Sequence, residues 1–499
     1  MEALGGFISP TFVTLLLGIF IAPGIWTAIQ RLYFHPLRHI PGPRLAAISD
    51  WYGYWYNVFG NGSYIKSFPD LHRESKSAVI RIGPNHIHVS DLDFYHIVFG
   101  TGSKYQKDIT FYRDLMDAPG AFLSITDPYD FRQYRHHFSS LFSARAVTAL
   151  LPTMMVELEK VSRILLAAKE EGKPVDLQHI YRSVTGDIAC EAMLARSPEF
   201  LSEGERGHPL LGMLDVPAGI TWLSMALPQI STILSAIPIV GKRVTDELCK
   251  FSTLCGGWSQ EAQTQKMKGI TPDRRGYFDL ILDMDHCDRV KHIPNPLKDP
   301  FDLLIAGVGT TSHVLSCASF YILNDPNVLR RLREELDAEN PFANKTPDIN
   351  HIRALPYLTA VVRESLRMAH PTPGLIPRVV PPGGAQIGSV SVPGGVTISM
   401  ANAMVEMNEV LFPEPHRFNP DRWMKSEKDV EKWVVAFSKG PRKCPGMNIA
   451  YMQLYCCIAY IFSQFDLELF QTNSASMAWA DNLSGQNKEH VKVMVKALH

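Results

Sequence analysis

"FSKGPRKCPG", residues 437–446, sets one cysteine among two glycines, two prolines and three basic side chains, and an apolar pattern follows it at once. Met447, Ala450, Leu454, Cys457, Ile458 and Ile461 fall at helical spacing, and Pro445 suits the first turn of such a helix. Cys444 therefore stands at or just before a helix N-terminus. Free N–H groups, the positive end of the dipole, Arg442 and Lys443 should there favour thiolate over thiol. Such a thiolate is a nucleophile or a metal ligand. The nucleophile reading wants a histidine base, and no motif links His370 or His416 to the cysteine. The zinc reading lacks companion ligands nearby. A single thiolate ligand to a large, flat cofactor fits better, with Gly440 and Gly446 letting backbone approach a plane and Phe437 supplying an aromatic wall.

Phe437, Gly440, Arg442, Cys444 and Gly446 follow F-x-x-G-x-R-x-C-x-G, and the stretch resembles the haem-binding loop of cytochrome P-450 monooxygenases at every specified position. The resemblance implies haem b, with Cys444 as the axial ligand of its iron and Arg442 paired with a propionate. A thiolate donates the electron density that favours O–O cleavage, which is why this chemistry wants cysteine.

Other motifs support the resemblance, in the family's order. "ESLR" places Glu364 and Arg367 three apart on one helix face, and "PHRF" supplies Arg417; in the family three such residues form a buried ion-pair network, a structural role. His416 stands before Arg417 where the family often has glutamate. "AGVGTT", residues 306–311, lies inside a long apolar run, and its two glycines and two threonines invite a local helix distortion. By resemblance this is the oxygen groove, with Thr310 delivering protons. The chain departs from the family at Gly309, where an acid is usual. A relay needs groups that gain and lose protons, so ordered water with Thr310 and Thr311 is expected to replace the acid, the competing expectation being an atypical oxidation such as desaturation. Arg135, four residues after Phe131 in "FRQYRHHF", and Arg378 in "GLIPR" resemble further propionate contacts. Phe131 replaces the commoner tryptophan or histidine.

A chain of 499 residues with a net charge of -1 is enzyme-sized and carries no electrostatic footprint for nucleic acid. Eight cysteines without paired spacing indicate a reduced, cytosol-facing domain. Residues 3–30 carry no charged side chain and are apolar over enough length to cross a bilayer, and the arginines that follow put the bulk of the chain in the cytosol. Residues 1–30 read as a membrane anchor, 31–45 as a stiff, extended proline-rich linker, and 46–499 as one haem-thiolate monooxygenase domain. Residues 78–91 alternate like strands and residues 145–370 are dominated by helical periodicity. The expected fold class is mainly α with a minor β portion, the cytochrome P-450 fold, preceded by one transmembrane helix.

Pocket walls are expected, by the family's layout, from residues 111–122, 216–227, 373–376 and 477–479 and from Ile305 and Val308. Residues 223–239 are apolar enough to dip into the bilayer. The wording of residues 440–450 and 32–47 resembles fungal microsomal enzymes of secondary metabolism, near the trichodiene-oxygenase-like group. That implies an endoplasmic-reticulum enzyme oxidising a lipophilic small molecule with O2, a terpenoid in the first instance, with a polyketide or indole alkaloid as the competing class. Without a dinucleotide fingerprint the chain needs electrons from elsewhere, by resemblance an NADPH-cytochrome P-450 reductase docking around Lys439 and Lys443. A haem-thiolate isomerase or dehydratase needing no reductase is the alternative activity. A non-catalytic haem sensor would need no oxygen groove.

Overall fold

The computed structural model describes residues 21–113, 121–227, 241–284, 298–343, 347–424 and 430–499. Its principal helices are α1 (Trp51–Phe59), α2 (Phe68–Ser75), α3 (Leu92–Phe99), α4 (Pro128–Phe138), α5 (Leu151–Glu171), α6 (Leu177–Leu194), α7 (Ala218–Ala226), α8 (Gly241–Met267), α9 (Lys298–Asn324), α10 (Pro326–Glu339), α11 (Pro356–Ala369) and α12 (Met447–Gln464). Several start where side-chain chemistry dictates. Asp127, Asp176 and Asp325 accept the first free N–H groups of α4, α6 and α10, and Pro128 and Pro326 occupy first-turn positions that need no donor.

The strands are β1 (Val79–Gly83), β2 (His86–Val89), β3 (Gln106–Lys107), β4 (Val175–Asp176), β5 (Arg378–Val379), β6 (Ala385–Ile387), β7 (Val390–Val392), β8 (Thr397–Ser399), β9 (Phe465–Leu469), β10 (Trp479–Asn482), β11 (Ser484–Asn487) and β12 (Lys492–Leu498). The alternating residues 78–91 fold as the antiparallel pair β1–β2. A five-stranded sheet in the order β1-β2-β8-β5-β3 contains one parallel pair, β2 with β8. β4-β12-β9 form a second sheet, and β6–β7 and β10–β11 are hairpins. The fold is mainly α with a minor β portion, as expected.

The main core is built around α9, buried along most of its length between α6, α11 and α12. Small residues set the approach: a Cβ on Gly307 would lie 3.1 Å from Ala189 Cβ on α6. Among the described residues α9 is the one single helix long and apolar enough to cross a bilayer, and its burial marks it as a core helix. A second core cluster joins Leu37 and Ile40 to Val79, Ile87, Ile398 and Phe412.

Residues 1–20 of the expected anchor lie outside the described residues. Residues 21–29 are helical and expose Ile21, Ile25, Trp26 and Ile29. The expected extended linker is instead mostly helical. Gln30–Phe34 form a π turn, Pro36–His39 a 3-10 turn whose Leu37 N–H is accepted by His35 Nδ1, and Arg44–Ile48 a short helix. Proline at a first helical position promotes a turn as readily as it blocks one, and burying Leu37 fixes this choice.

Candidate active site

The cysteine loop folds so that Cys444 N–H donates to Phe437 O at 2.9 Å, closing a turn immediately before α12. Gly440 has φ +60°, and a Cβ there would stand 2.5 Å from the carbonyl oxygens of Phe99 and Gly100. The close approach that requires this glycine is thus to the end of α3. Gly446 stands at the N-cap of α12, and a Cβ there would sit in ordinary contact, 4.0 Å from Cys444 Sγ. Phe437 packs against Tyr451 with ring centroids 5.0 Å apart.

Burial pushes the Cys444 thiol up, against the N–H groups of Gly446 and Met447 and the charges of Arg135 and Lys443, which pull it down. Burial thus opposes the thiolate that the helix terminus and the neighbouring cations favour. Desolvation at the loop outweighs the helix terminus.

Arginines surround this loop. Arg135, on α4, donates to Pro441 O at 3.1 Å and Lys443 O at 2.5 Å. Arg442 donates to the carbonyls of Ile125 and Thr126, both at 2.7 Å, and its guanidinium lies 3.8 Å from the centre of the Phe131 ring. An aromatic at position 131 thus stacks on the loop arginine. Arg378, buried on β5, donates to Pro377 O at 3.0 Å and Tyr112 Oη at 3.2 Å.

Sequence reasoning missed Lys107, whose Nζ donates to Leu123 O at 2.6 Å and lies over the Tyr112 ring. Burial, then Arg442 and Arg378, push Lys107 well below the usual lysine range, with Asp302 opposing. Burial and Arg378 bring Arg442 down to about 10. Buried cations that destabilise one another call for an anion, so this donor set, beside a free cysteine sulfur, fits a haem with its two carboxylates. β3 is only two residues long, which left Lys107 without a readable pattern.

The threonine segment lies in an unbroken part of α9, so no break marks the expected distortion, and Thr310 Oγ1 donates to Ala306 O at 2.9 Å. Thr311 is buried. A Cβ on Gly309 would meet Leu214 Cδ2 at 3.3 Å. Leucine occupies the side on which an acid at position 309 would need space.

The ion-pair network holds a correction. Glu364 and Arg367 pair on α11, with Nη2–Oε1 at 2.8 Å and Nε–Oε2 at 3.0 Å, both side chains buried. The third arginine is Arg422, whose Nε lies 3.0 Å from Glu364 Oε1. Arg417 is exposed and faces Glu414 at 3.6 Å, contributing to the network only its carbonyl oxygen. Residues 415–423 contain Pro-x-Arg-aromatic twice, as "PHRF" and "PDRW", and the second copy faces inward. The signal was Trp423, whose Nε1 donates to Glu364 Oε2 at 2.9 Å, because a buried indole needs such an acceptor.

Expected pocket walls converge in part. Ala218, Trp222 and Ala480 form one apolar cluster with Phe111, Met225 and Leu483 packed against it. Residues 114–120 of the first wall and 228–239 of the bilayer-dipping stretch lie outside the described residues.

The family model described as Cytochrome P450 matches residues 55–493. The cytochrome P450 monooxygenase phqM of Penicillium fellutanum is 39% identical over 469 residues, covering 92% of this chain and 87% of the relative. The cytochrome P450 monooxygenase ankB of Aspergillus thermomutatus is 38% identical over 491 residues, covering 96% and 93%. The cytochrome P450 monooxygenase cloA of Claviceps purpurea (strain 20.1) is 34% identical over 484 residues, covering 96% and 94%.

Proposed function

The chain belongs to the cytochrome P450 family, and from that premise we propose that this haem-thiolate monooxygenase oxidises a lipophilic secondary metabolite, a terpenoid in the first instance, at a bilayer surface. The family's activity uses O2, a redox partner and a small-molecule substrate. The observation that supports the lipophilic reading is the cluster of Trp222, Phe111, Ala480 and Leu483, which joins two of the expected wall segments to the neighbouring residues 480 and 483 with apolar surface. Polyketides and indole alkaloids present similar apolar bodies and form the comparison panel.

In this reading Cys444 ligates the iron, and Arg442, Arg378 and Arg135, joined by Lys107, hold the cofactor's carboxylates. When bound, the haem supplies oxygen activation, which a thiolate ligand promotes. The rest falls to the protein. Thr310 holds its proton toward Ala306 O and keeps oxygen lone pairs to accept from water, and Thr311 lies next to it. With Gly309 offering no acid, water beside these hydroxyls carries protons. Glu364, Arg367 and Arg422 hold α11 against the segment before the cysteine loop.

Burial, then Lys432 and Lys443, lower Lys439, a sign of crowded positive charge that suits an acidic partner such as an NADPH-dependent flavoprotein reductase. Exposed apolar side chains near the N-terminus suit attachment to the endoplasmic-reticulum membrane.

The test is the carbon-monoxide difference spectrum of the reduced protein beside Cys444→Ala, followed by substrate-induced spectral titration with the three substrate classes. A thiolate-type Soret band lost in the variant is the expected result. An unchanged band in the variant would refute the ligand assignment, and a response to alkaloids alone would refute the terpenoid.

A further inference from the structure

His490, just before β12, has a carboxylate at each ring nitrogen. Nδ1 lies 2.8 Å from Asp176 Oδ2 and Nε2 lies 2.9 Å from Asp215 Oδ1. Asp176 is the residue that caps α6, using Oδ1 toward the N–H groups of Gln178 and His179. Asp215 closes the 3-10 turn Leu211–Asp215 and also meets Arg182 Nη2 of α6 at 2.7 Å. A neutral imidazole donates from one nitrogen only and would turn a lone pair toward the other carboxylate. Satisfying both partners requires the cation.

The turn that this histidine grips leads to the threonine segment. Leu214 is the side chain 3.3 Å from where a Cβ on Gly309 would stand. The same segment is held from the hairpin by Gln486 Nε2, which donates to Leu214 O at 3.1 Å and Val216 O at 3.2 Å, and by Asn482 Nδ2, which donates to Val216 O at 3.0 Å. Side-chain amide hydrogen bonds and a doubly paired cation therefore fix the turn, and Arg182 meets the same Asp215 Oδ1 as His490.

We propose that His490 is a positioning residue, which as a doubly donating cation pins the Leu211–Asp215 turn and so holds Leu214 against Gly309 as the roof of the oxidation site. That this is an oxidation site rests on the function proposed above; the latch itself rests on the contacts. It gives the departure at Gly309 a structural counterpart, because the volume an acid would take is filled by a leucine carried on a charge-held turn.

The charge sets a pH window. Burial alone would lower His490, but its hydrogen bonds to Asp176 and Asp215 outweigh burial and raise it to about 9, while Asp176 and Asp215 are held below the usual carboxylate range. The other charged or titratable groups facing it are Arg182, paired with Asp215, and His179, whose ring meets His490 edge-on at 5.1 Å. A raised histidine stabilises the fold fully below the unfolded value, near ~6.5, and that contribution is lost as pH rises through about 9. The latch is closed at neutral pH and opens in alkali.

The experiment is hydrogen–deuterium exchange of the holoprotein, read on peptides covering residues 211–216 from about pH 7 to pH 10 and corrected for intrinsic exchange. Wild type should lose protection of this segment with a midpoint near 9. His490→Gln should exchange ~3- to 5-fold faster at neutral pH, as for partly exposed ion pairs, with no alkaline step. His490→Arg keeps the charge and should keep protection above pH 9. Peptides from α6 and α9 in the same digests report global folding. Protection that is flat with pH in wild type, or equal in the Gln variant, overturns the proposal. So does protection that appears only with added Zn2+, since ligand atoms of Asp176, His179 and His490 lie within 4.8 Å of one another. The carbon-monoxide spectrum of the same samples separates the two claims: a failed thiolate band with an intact alkaline step would fault the reaction and leave the latch standing.

Discussion

Glu364 accepts from Arg367 twice, from Arg422 Nε, from the Asn419 N–H and from the Trp423 indole, so its buried carboxylate is satisfied at both oxygens. Removing one cation from such a site leaves charge that water cannot reach, whereas removing an exposed arginine costs almost nothing. Arg422→Ala is therefore expected to destabilise the protein by about 3 kcal/mol. Arg417→Ala should stay within about 0.5 kcal/mol, because its guanidinium reaches only the exposed Glu414. Denaturant unfolding of both holoproteins checks the pair. Equal losses, or a larger loss for Arg417, would return Arg417 to the network. Sequence spacing could not decide between two Pro-x-Arg-aromatic copies five residues apart, since which one faces inward is fixed by the packing of Phe412 and Trp423.

At the scale of elements, α9 and the turn before α7 share the volume beside Gly309. Aspartate at that position meets Leu214 Cδ2 from the first side-chain atom onward, and its carboxylate has to enter an apolar contact. Gly309→Asp alone should cost about 1–3 kcal/mol. Combined with Leu214→Ala it should cost less than the sum of the single changes by about 1 kcal/mol, measured as a double-mutant cycle in thermal unfolding. Strict additivity would mean that the two side chains do not compete. Legibility in the sequence divides along the same line. The cysteine loop, the helical run around residues 306–311 and the strand alternation at 78–91 were readable because each motif or period is local. The roof was not readable, because Leu214, Gly309 and His490 meet only through tertiary contact. Lys107 and Arg378 were separated by the same obstacle, since the pairing of β3 with β5 that joins them is long-range in sequence. The burial of Cys444, which opposes its ionisation, was hidden for a related reason: helix position is visible in sequence and burial is not.

Over the whole molecule, one group of exposed apolar side chains is concentrated in residues 33–59. Tyr33, Phe34, Leu45, Trp51, Trp55 and Phe59 are exposed. α7 packs on α1 so closely that a Cβ on Gly219 would stand 2.3 Å from Val58 O, which brings exposed Ile220 and Leu227 into the same region. Exposed aromatics in such number are costly in water and favourable at a bilayer interface, where amphipathic rings sit at headgroup level. A protein lacking residues 1–29 should therefore still co-sediment with phosphatidylcholine vesicles. Changing Trp51, Trp55 and Phe59 together to serine should weaken that binding by at least ~10-fold, because each side chain forfeits roughly 1 kcal/mol or more of apolar transfer. The unchanged far-ultraviolet circular dichroism of the triple variant would show that attachment, and not folding, was lost. If the truncated protein stays in the supernatant, α1 and α7 do not face the membrane, and any attachment belongs to the first residues alone.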